Sequence, residues 1–133
     1  MVSRVTTLDE AIRDEQENTA KDFPEDLKSE YKSKHFVLVD GFFNEGARLA
    51  CLYFRDNIAQ LKSLGFTYTQ LRYRSTRSIF RNAESLYRDI LAVFTKHKKP
   101  IILFGHSMGG GEALCLALNH PELLFDNIID KVG

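Results

Sequence analysis

The sequence has little that would mark a membrane, nucleic-acid-binding or disulfide-rich protein. It has only two cysteines, Cys51 and Cys115, and their spacing matches no metal or redox motif, so we expect both to be small core residues. Acidic and basic residues balance at 18 each, without a basic stripe interleaved with aromatics. The charge pattern therefore favours no nucleic-acid partner.

Long apolar runs are also missing. No stretch approaches the roughly 18 apolar residues that a membrane span requires. The N-terminus turns acidic at Asp9 and Glu10, where a signal peptide would carry its apolar segment. We therefore expect no transmembrane segment and a cytoplasmic location.

The composition that is present favours one globular domain behind a charged arm. Hydrophobic residues make up 44% of the 133 residues, which is enough for a core. Residues 1–34 are dense in charge and poor in apolar side chains. We interpret them as an arm that is either disordered or helical, with a short helix over 8–19 started by the capping-box spacing of Thr7 and Glu10. The domain then covers residues 35–133.

From residue 35 onward the pattern alternates between strands and helices. The predicted strands are 36–39, 66–72 and 100–104, and the predicted helices are 46–64, 78–97 and 107–119. Ser78 is a predicted N-cap and Gly65 a predicted C-cap. The inward residues predicted for the last helix are Ala113, Leu114, Ala117 and Leu118. Alternating strands and helices predict an α/β fold, with a parallel sheet flanked by helices on both faces.

A G-x-S-x-G motif is the feature that points to chemistry. Gly105-His106-Ser107-Met108-Gly109 comes directly after the apolar strand 100–104 and opens the last predicted helix. A serine on such a sharp strand-to-helix turn has its hydroxyl pushed out of the sheet. We therefore predict that Ser107 sits exposed on a strained turn, as a nucleophile.

A serine nucleophile needs donors for the oxyanion that forms during acyl transfer. The backbone N–H of Met108, at the start of the helix, is one predicted donor. The loop after the first strand supplies the second, and the backbone N–H of Phe42 is the candidate. Gly41 would let this loop turn toward the site. The neighbouring pair Phe42-Phe43 fits either an acyl pocket or an aromatic core.

At these residues the chain resembles the α/β-hydrolase superfamily, and within it the bacterial lipases and esterases. Phe-Gly-His-Ser-Met-Gly-Gly at 104–110 is similar to their nucleophile segment, and the likeness extends over about residues 36–125. The resemblance implies a serine hydrolase acting on small-molecule or lipid esters, with neither metal nor cofactor. It also implies that strand 36–39 lies between strands 66–72 and 100–104.

Two departures from the family affect this interpretation. Asp40-Gly41 stands where the family has His-Gly, which places a carboxylate beside a hole for negative charge unless Asp40 is turned away or neutralised. The sequence also ends at Gly133, before the positions of the family's acid and catalytic histidine. We therefore expect a partial hydrolase core of about three strands and three helices, with little activity by itself. The alternatives are an inactive fragment that serves as a binding module and half of a site completed by another chain.

Further expectations concern the remaining polar residues and the sheet edge. We interpret His106 and His120 as structural, His35 and His97 as exposed, and the cluster of Arg72, Arg74, Arg77 and Arg81 as a solvated face. Strand 100–104 would leave one edge open, which predicts self-association or a C-terminal partner. The alternative is that residues 122–133 fold back over this edge.

Overall fold

The computed structural model describes residues 10–11, 23–41, 54–74 and 76–133. The helices are α1 (Glu25–Lys32), α2 (Arg55–Ser63), α3 (Ile79–His97), α4 (Met108–Asn119) and α5 (Glu122–Phe125). The strands are β1 (His35–Asp40), β2 (Thr67–Arg72), β3 (Ile101–Gly105) and β4 (Ile129–Val132). Most of the predicted helix 8–19 and residues 46–53 of the next lie outside the described residues, as does Cys51.

The four strands form one all-parallel sheet in the order β2-β1-β3-β4. In β1, His35 is aligned with Thr67 of β2 and with Ile101 of β3. This confirms the predicted α/β class and the central position of strand 36–39. The capping predictions are also confirmed, since Ser78 accepts a hydrogen bond from the N–H of Arg81 and Gly65 adopts a positive φ of 75° after α2.

The two faces of the sheet bury different residues. Val37, Val39 and Leu103 pack in one core with Leu86 of α3 and Leu116 of α4. The alternate residues point to the opposite face, which is partly covered by α1 and α2. That second core contains Phe36, Leu64, Phe66 and Ile102. A parallel sheet covered by helices is expected to carry such continuous apolar strands.

The expected open edge on strand 100–104 was wrong. After α5 the chain forms β4, which pairs parallel to β3 with an irregularity between Ile101 and Ile102. Leu123 and Ile129 are buried and tie this segment to the first core. The alternative in which residues 122–133 cover the edge is therefore correct. Because β3 has a neighbour on each side, its backbone supplies no edge for self-association.

The predicted inward face of the last helix was correct for Ala113 but wrong for Leu114 and Leu118. Leu114 and Leu118 are 59% and 72% exposed, whereas the buried residues of α4 are Gly109, Glu112, Ala113 and Leu116. Close contact between Gly109 and β1 fixes which side of the helix meets the sheet, and residues 112, 113 and 116 share that side. Because one of these buried residues is a glutamate, the pattern of hydrophobic residues did not indicate this face.

The end of the predicted arm packs onto the second core. Tyr31 of α1 contacts the rings of Phe36 and Phe66 at centroid distances of 6.1 and 6.2 Å. Phe23 contacts Phe66 at 5.9 Å. Within the described ranges, no helix has the length and hydropathy needed to cross a membrane.

Candidate active site

Ser107 lies at the turn between β3 and α4. Its backbone has φ 56° and ψ −122°, outside the regions that residues with a β-carbon normally occupy. Such a conformation costs about 1–3 kcal/mol and persists only where the surroundings hold it. The residue is exposed and its side chain makes no capping hydrogen bond to α4. The predicted strained, exposed turn is confirmed, while the nucleophilic role stays a prediction.

The glycines on either side of Ser107 allow α4 to approach the sheet. A β-carbon on Gly105 would lie 2.4 Å from the carbonyl oxygen of Gly109. One on Gly109 would lie 2.3 Å from the carbonyl oxygen of Val39. Since both obstacles are backbone atoms, a larger residue at either position would push α4 away from β1 and β3. The spacing of the motif is therefore required by helix–strand contact.

The sheet topology indicates a ligand site at the same position, independently of the motif. From β1 the chain goes first to β2 on one side and then to β3 on the other, so the strand order reverses between β1 and β3. Ligands of open parallel sheets bind outside the carboxyl ends of the strands at such a reversal. The N–H of His106 donates to the carbonyl of Val39 at 3.0 Å, which joins the two strand ends there. Ser107 follows at this crevice.

Gly41 lies against the predicted oxyanion donor. The first N–H groups of a helix have no partner within it, and among the described residues no backbone carbonyl accepts from Met108. A β-carbon on Gly41 would be 2.5 Å from the Met108 nitrogen and 2.2 Å from the His106 carbonyl oxygen. Gly41 is therefore needed for close approach, and its φ is not in the left-handed region. Phe42, the other predicted donor, and Phe43 lie outside the described residues.

Asp40 is neutralised by Arg72 on the neighbouring strand. The Arg72 Nη2 donates to the Asp40 Oδ2 at 3.0 Å, and the Asp40 side chain is buried. The positive partner offsets the carboxylate of Asp40, which stands where the resemblance to α/β hydrolases predicts histidine. Arg72 thus contacts a carboxylate rather than only solvent, unlike the solvated face expected for the arginine cluster. The Oδ1 of Asp40 is buried and makes no hydrogen bond in the described structure.

The four histidines of the sequence are held by contacts of their own. His106 meets the ring of Phe54 edge-to-face with centroids 6.4 Å apart. His120 caps the far end of α4, whose 12 residues put it about 18 Å from Ser107. There its ring nitrogens bond Glu84 at 2.9 Å and Glu122 at 3.2 Å, and these carboxylates raise the His120 pKa. The predicted structural roles of both residues are supported.

His35 corrects the expectation of an exposed histidine. It is fully buried at the amino end of β1, with Nδ1 2.8 Å from the Thr67 hydroxyl and Nε2 2.7 Å from the Thr69 hydroxyl. Its ring stacks on His97 at 3.8 Å. Burial, with nearby positive groups, lowers the pKa of His35 to about 4. The six residues of β1 separate this cluster from the Ser107 end by about 20 Å.

The buried pair of Asn82 and Glu112 was not predicted from the sequence. The Asn82 Nδ2 donates to the Glu112 Oε1 at 2.8 Å and to the carbonyl of Arg74 at 2.9 Å. Burial raises the pKa of Glu112, and the hydrogen bond from Asn82 opposes that rise. The pair links α3, α4 and the segment after β2. The signal in the sequence was the place of Glu112, three residues after Gly109 on the same side of α4.

Comparison with protein-family models and with curated proteins identifies no relative. No protein-family model matches the chain, and no curated protein matches it significantly. The α/β architecture is therefore a property of the structure, and the likeness to α/β hydrolases rests on the motif and its surroundings.

Proposed function

We propose that the chain carries the nucleophile of a serine ester hydrolase, with Ser107 as the residue that is acylated. The observation that supports this most is the strained, exposed backbone of Ser107 at the strand-order reversal. Strain at such a position is typical of functional sites, where the rest of the fold holds an unfavourable conformation. If residue 107 served only packing, glycine would fit this backbone conformation equally well.

The proposed reaction begins with attack of the Ser107 oxygen on the ester carbonyl carbon. The hydroxyl proton is lost to a base as the new C–O bond forms, and the Met108 N–H stabilises the oxyanion. The C–O bond to the alcohol then breaks, and the alcohol leaves with a proton. Water hydrolyses the acyl–serine and releases the carboxylic acid.

The contacts described for the chain's histidines do not identify a base for this reaction. His120 lies about 18 Å from Ser107 along α4, and His35 lies about 20 Å away along β1, with His97 of α3 stacked on it. His106 is beside Ser107 in sequence, but its ring packs on Phe54. We therefore propose that Ser107 acylates slowly in this chain alone, with the oxyanion donor and orientation as its remaining sources of rate.

Acylation by a p-nitrophenyl ester tests the proposal. This substrate has a good leaving group, so that only attack and oxyanion stabilisation are required. We expect slow release of p-nitrophenol and an acyl adduct on Ser107 by mass spectrometry. Ser107→Ala should lose the adduct, whereas Ser63→Ala, which removes another exposed serine hydroxyl, should keep it. Because imidazole also cleaves the ester by itself, its effect is read from the adduct: it should speed acylation at Ser107 in the parent chain, and no adduct should form at that position in Ser107→Ala.

The competing proposal is a binding module without catalysis. It is favoured by the placement of the four histidines. Absence of an adduct on Ser107 over many hours, with and without imidazole, would support it and reject the hydrolase. Rapid turnover without imidazole would instead show that another group of the chain acts as base.

A further inference from the structure

A cavity of about 450 Å³ lies on the face of the sheet that α1 and α2 partly cover. Its floor is apolar and comes from alternate residues of β1 and β3, including Phe36, Leu38, Ile102 and Phe104. Its walls come from α2 on one side and β4 on the other. This volume and apolar lining are within the range of small-molecule sites in proteins.

The cavity arises because the helices cover the two faces unequally. On the first face, α3 and α4 bury Leu103 completely. On the second face, Phe104 is 41% exposed, although a parallel sheet normally has both faces covered. The cavity is therefore bounded on several sides, whereas its end beside β3 and β4 is left open by the described residues.

Among the described residues that line this cavity, few have polar side chains and one of these is charged. Lys131 of β4 lines it, with its Nζ 5.5 Å from the centre of the Tyr31 ring. Asn57 and Gln60, one turn apart on α2, line it as well. The neighbouring Lys34 is already paired with Asp130 at 3.6 Å. Within the described lining, the charged group is therefore the ammonium of Lys131, against an aromatic and aliphatic interior.

We infer that this cavity binds an amphiphile with one apolar chain and an anionic head group. The chain would replace water over Phe36, Ile102 and Phe104, and burial of apolar surface would supply most of the affinity. The head group would lie beside Lys131, where opposite charge favours an anion. The ring of Phe54 also lines the cavity and contacts His106, so the ligand would bind next to the Ser107 turn. The inference does not rest on ester hydrolysis.

Titration with cis-parinaric acid, a fluorescent long-chain carboxylate, tests this inference below its micelle-forming concentration. We expect saturable binding with one site per chain. Dodecanoate should displace the probe better than uncharged dodecanol does. Ser107→Ala should bind the probe as the parent chain does, which separates this site from the proposed chemistry.

Two tryptophan variants locate the site. Gln60→Trp places a large ring in the cavity and should weaken probe binding about tenfold or more. Leu118→Trp is the matched control, since Leu118 is 72% exposed on a helix of the opposite face. Both proteins should melt cooperatively before they are compared. Equal binding by the two variants would place the probe elsewhere and overturn the inference.

Lys131→Met tests the head group. A partly exposed charge pair contributes little, so we expect dodecanoate affinity to fall about 1.4-fold to fivefold while dodecanol affinity is unchanged. Equal loss for both competitors, or no loss for either, would contradict the anionic head group. Failure of the parent chain to bind the probe saturably would reject the site itself.

Discussion

The two ends of the parallel sheet bury polar residues in different ways. At the amino end, both ring nitrogens of His35 have hydroxyl partners and the ring is stacked on His97. At the carboxyl end, Asp40 keeps one buried oxygen without a hydrogen bond and Ser107 holds a strained backbone. Satisfied polar groups stabilise a fold, whereas unsatisfied and strained ones are retained mainly at functional sites. We infer from this difference that the carboxyl end of the sheet carries the proposed functional site.

The largest effect should follow from separating α4 from the sheet at the carboxyl end. Gly109→Ala sets a β-carbon 2.3 Å from the Val39 carbonyl oxygen, and we expect it to cost more than about 3 kcal/mol of unfolding free energy. Gly110→Ala is the control, because its β-carbon would be 3.4 Å from the Gly105 carbonyl oxygen. Urea unfolding measures both. Similar losses in the two variants would contradict the contact as the reason for Gly109.

The next effect concerns acid and the amino end. Because the His35 pKa is about 4 in the folded chain, against about 6.5 when unfolded, the unfolded state binds more protons between these values. Stability should therefore fall as the pH drops from 6.5 to 4, by about 2–3 kcal/mol from this residue. The pH dependence of urea unfolding checks this.

His35→Gln is the matched variant for that measurement. It cannot titrate, so the difference between the parent chain and His35→Gln should shrink as the pH falls. His120 acts in the opposite direction, because its raised pKa stabilises the fold below its ordinary value and this contribution is lost as the pH rises. A parent-minus-variant difference that does not change with pH would mean that His35 titrates alike in both states.

A smaller effect compares backbone strain at the two ends. Ser107→Gly should raise the unfolding free energy by about 1–2 kcal/mol, since glycine tolerates φ 56° with ψ −122°. Lys98, which ends α3 at the amino end, has φ 53° and ψ 36°, an ordinary left-handed cap. Lys98→Gly should therefore stabilise by only about 0.5–1 kcal/mol. Equal gains in the unfolding free energy of the two variants would contradict the exceptional strain that we assign to Ser107.

The smallest expected effect concerns the partner of Asp40. Arg72→Met leaves a buried carboxylate without its cation, but the arginine is 44% exposed, so solvent reduces the penalty. We expect a loss of about 1 kcal/mol at pH 7. Asp40→Asn combined with Arg72→Met should recover most of it, and urea unfolding of the four proteins gives the coupling directly. Additive losses would show that the two side chains act independently.

The sequence by itself determined the local elements and the turn that carries Ser107. Apolar strands, the Ser78 cap, Gly65 and the G-x-S-x-G spacing each depend on contacts between near neighbours in the chain. For that reason the α/β class, the approximate strands at 36–39, 66–72 and 100–104, and the strained turn could all be predicted.

Only the tertiary structure decided which partners meet across the sheet. Glu112 is buried because Asn82 on another helix bonds it, and His35 is buried because Thr67 and Thr69 face it. The place of Glu112 after Gly109 indicates its side of α4, but local periodicity indicates neither its partner Asn82 nor the hydroxyls that bond His35. The register between strands and the close approach of Gly109 to β1 likewise depend on residues distant in sequence. These long-range contacts determine which face of α4 is buried and that β4 pairs with β3.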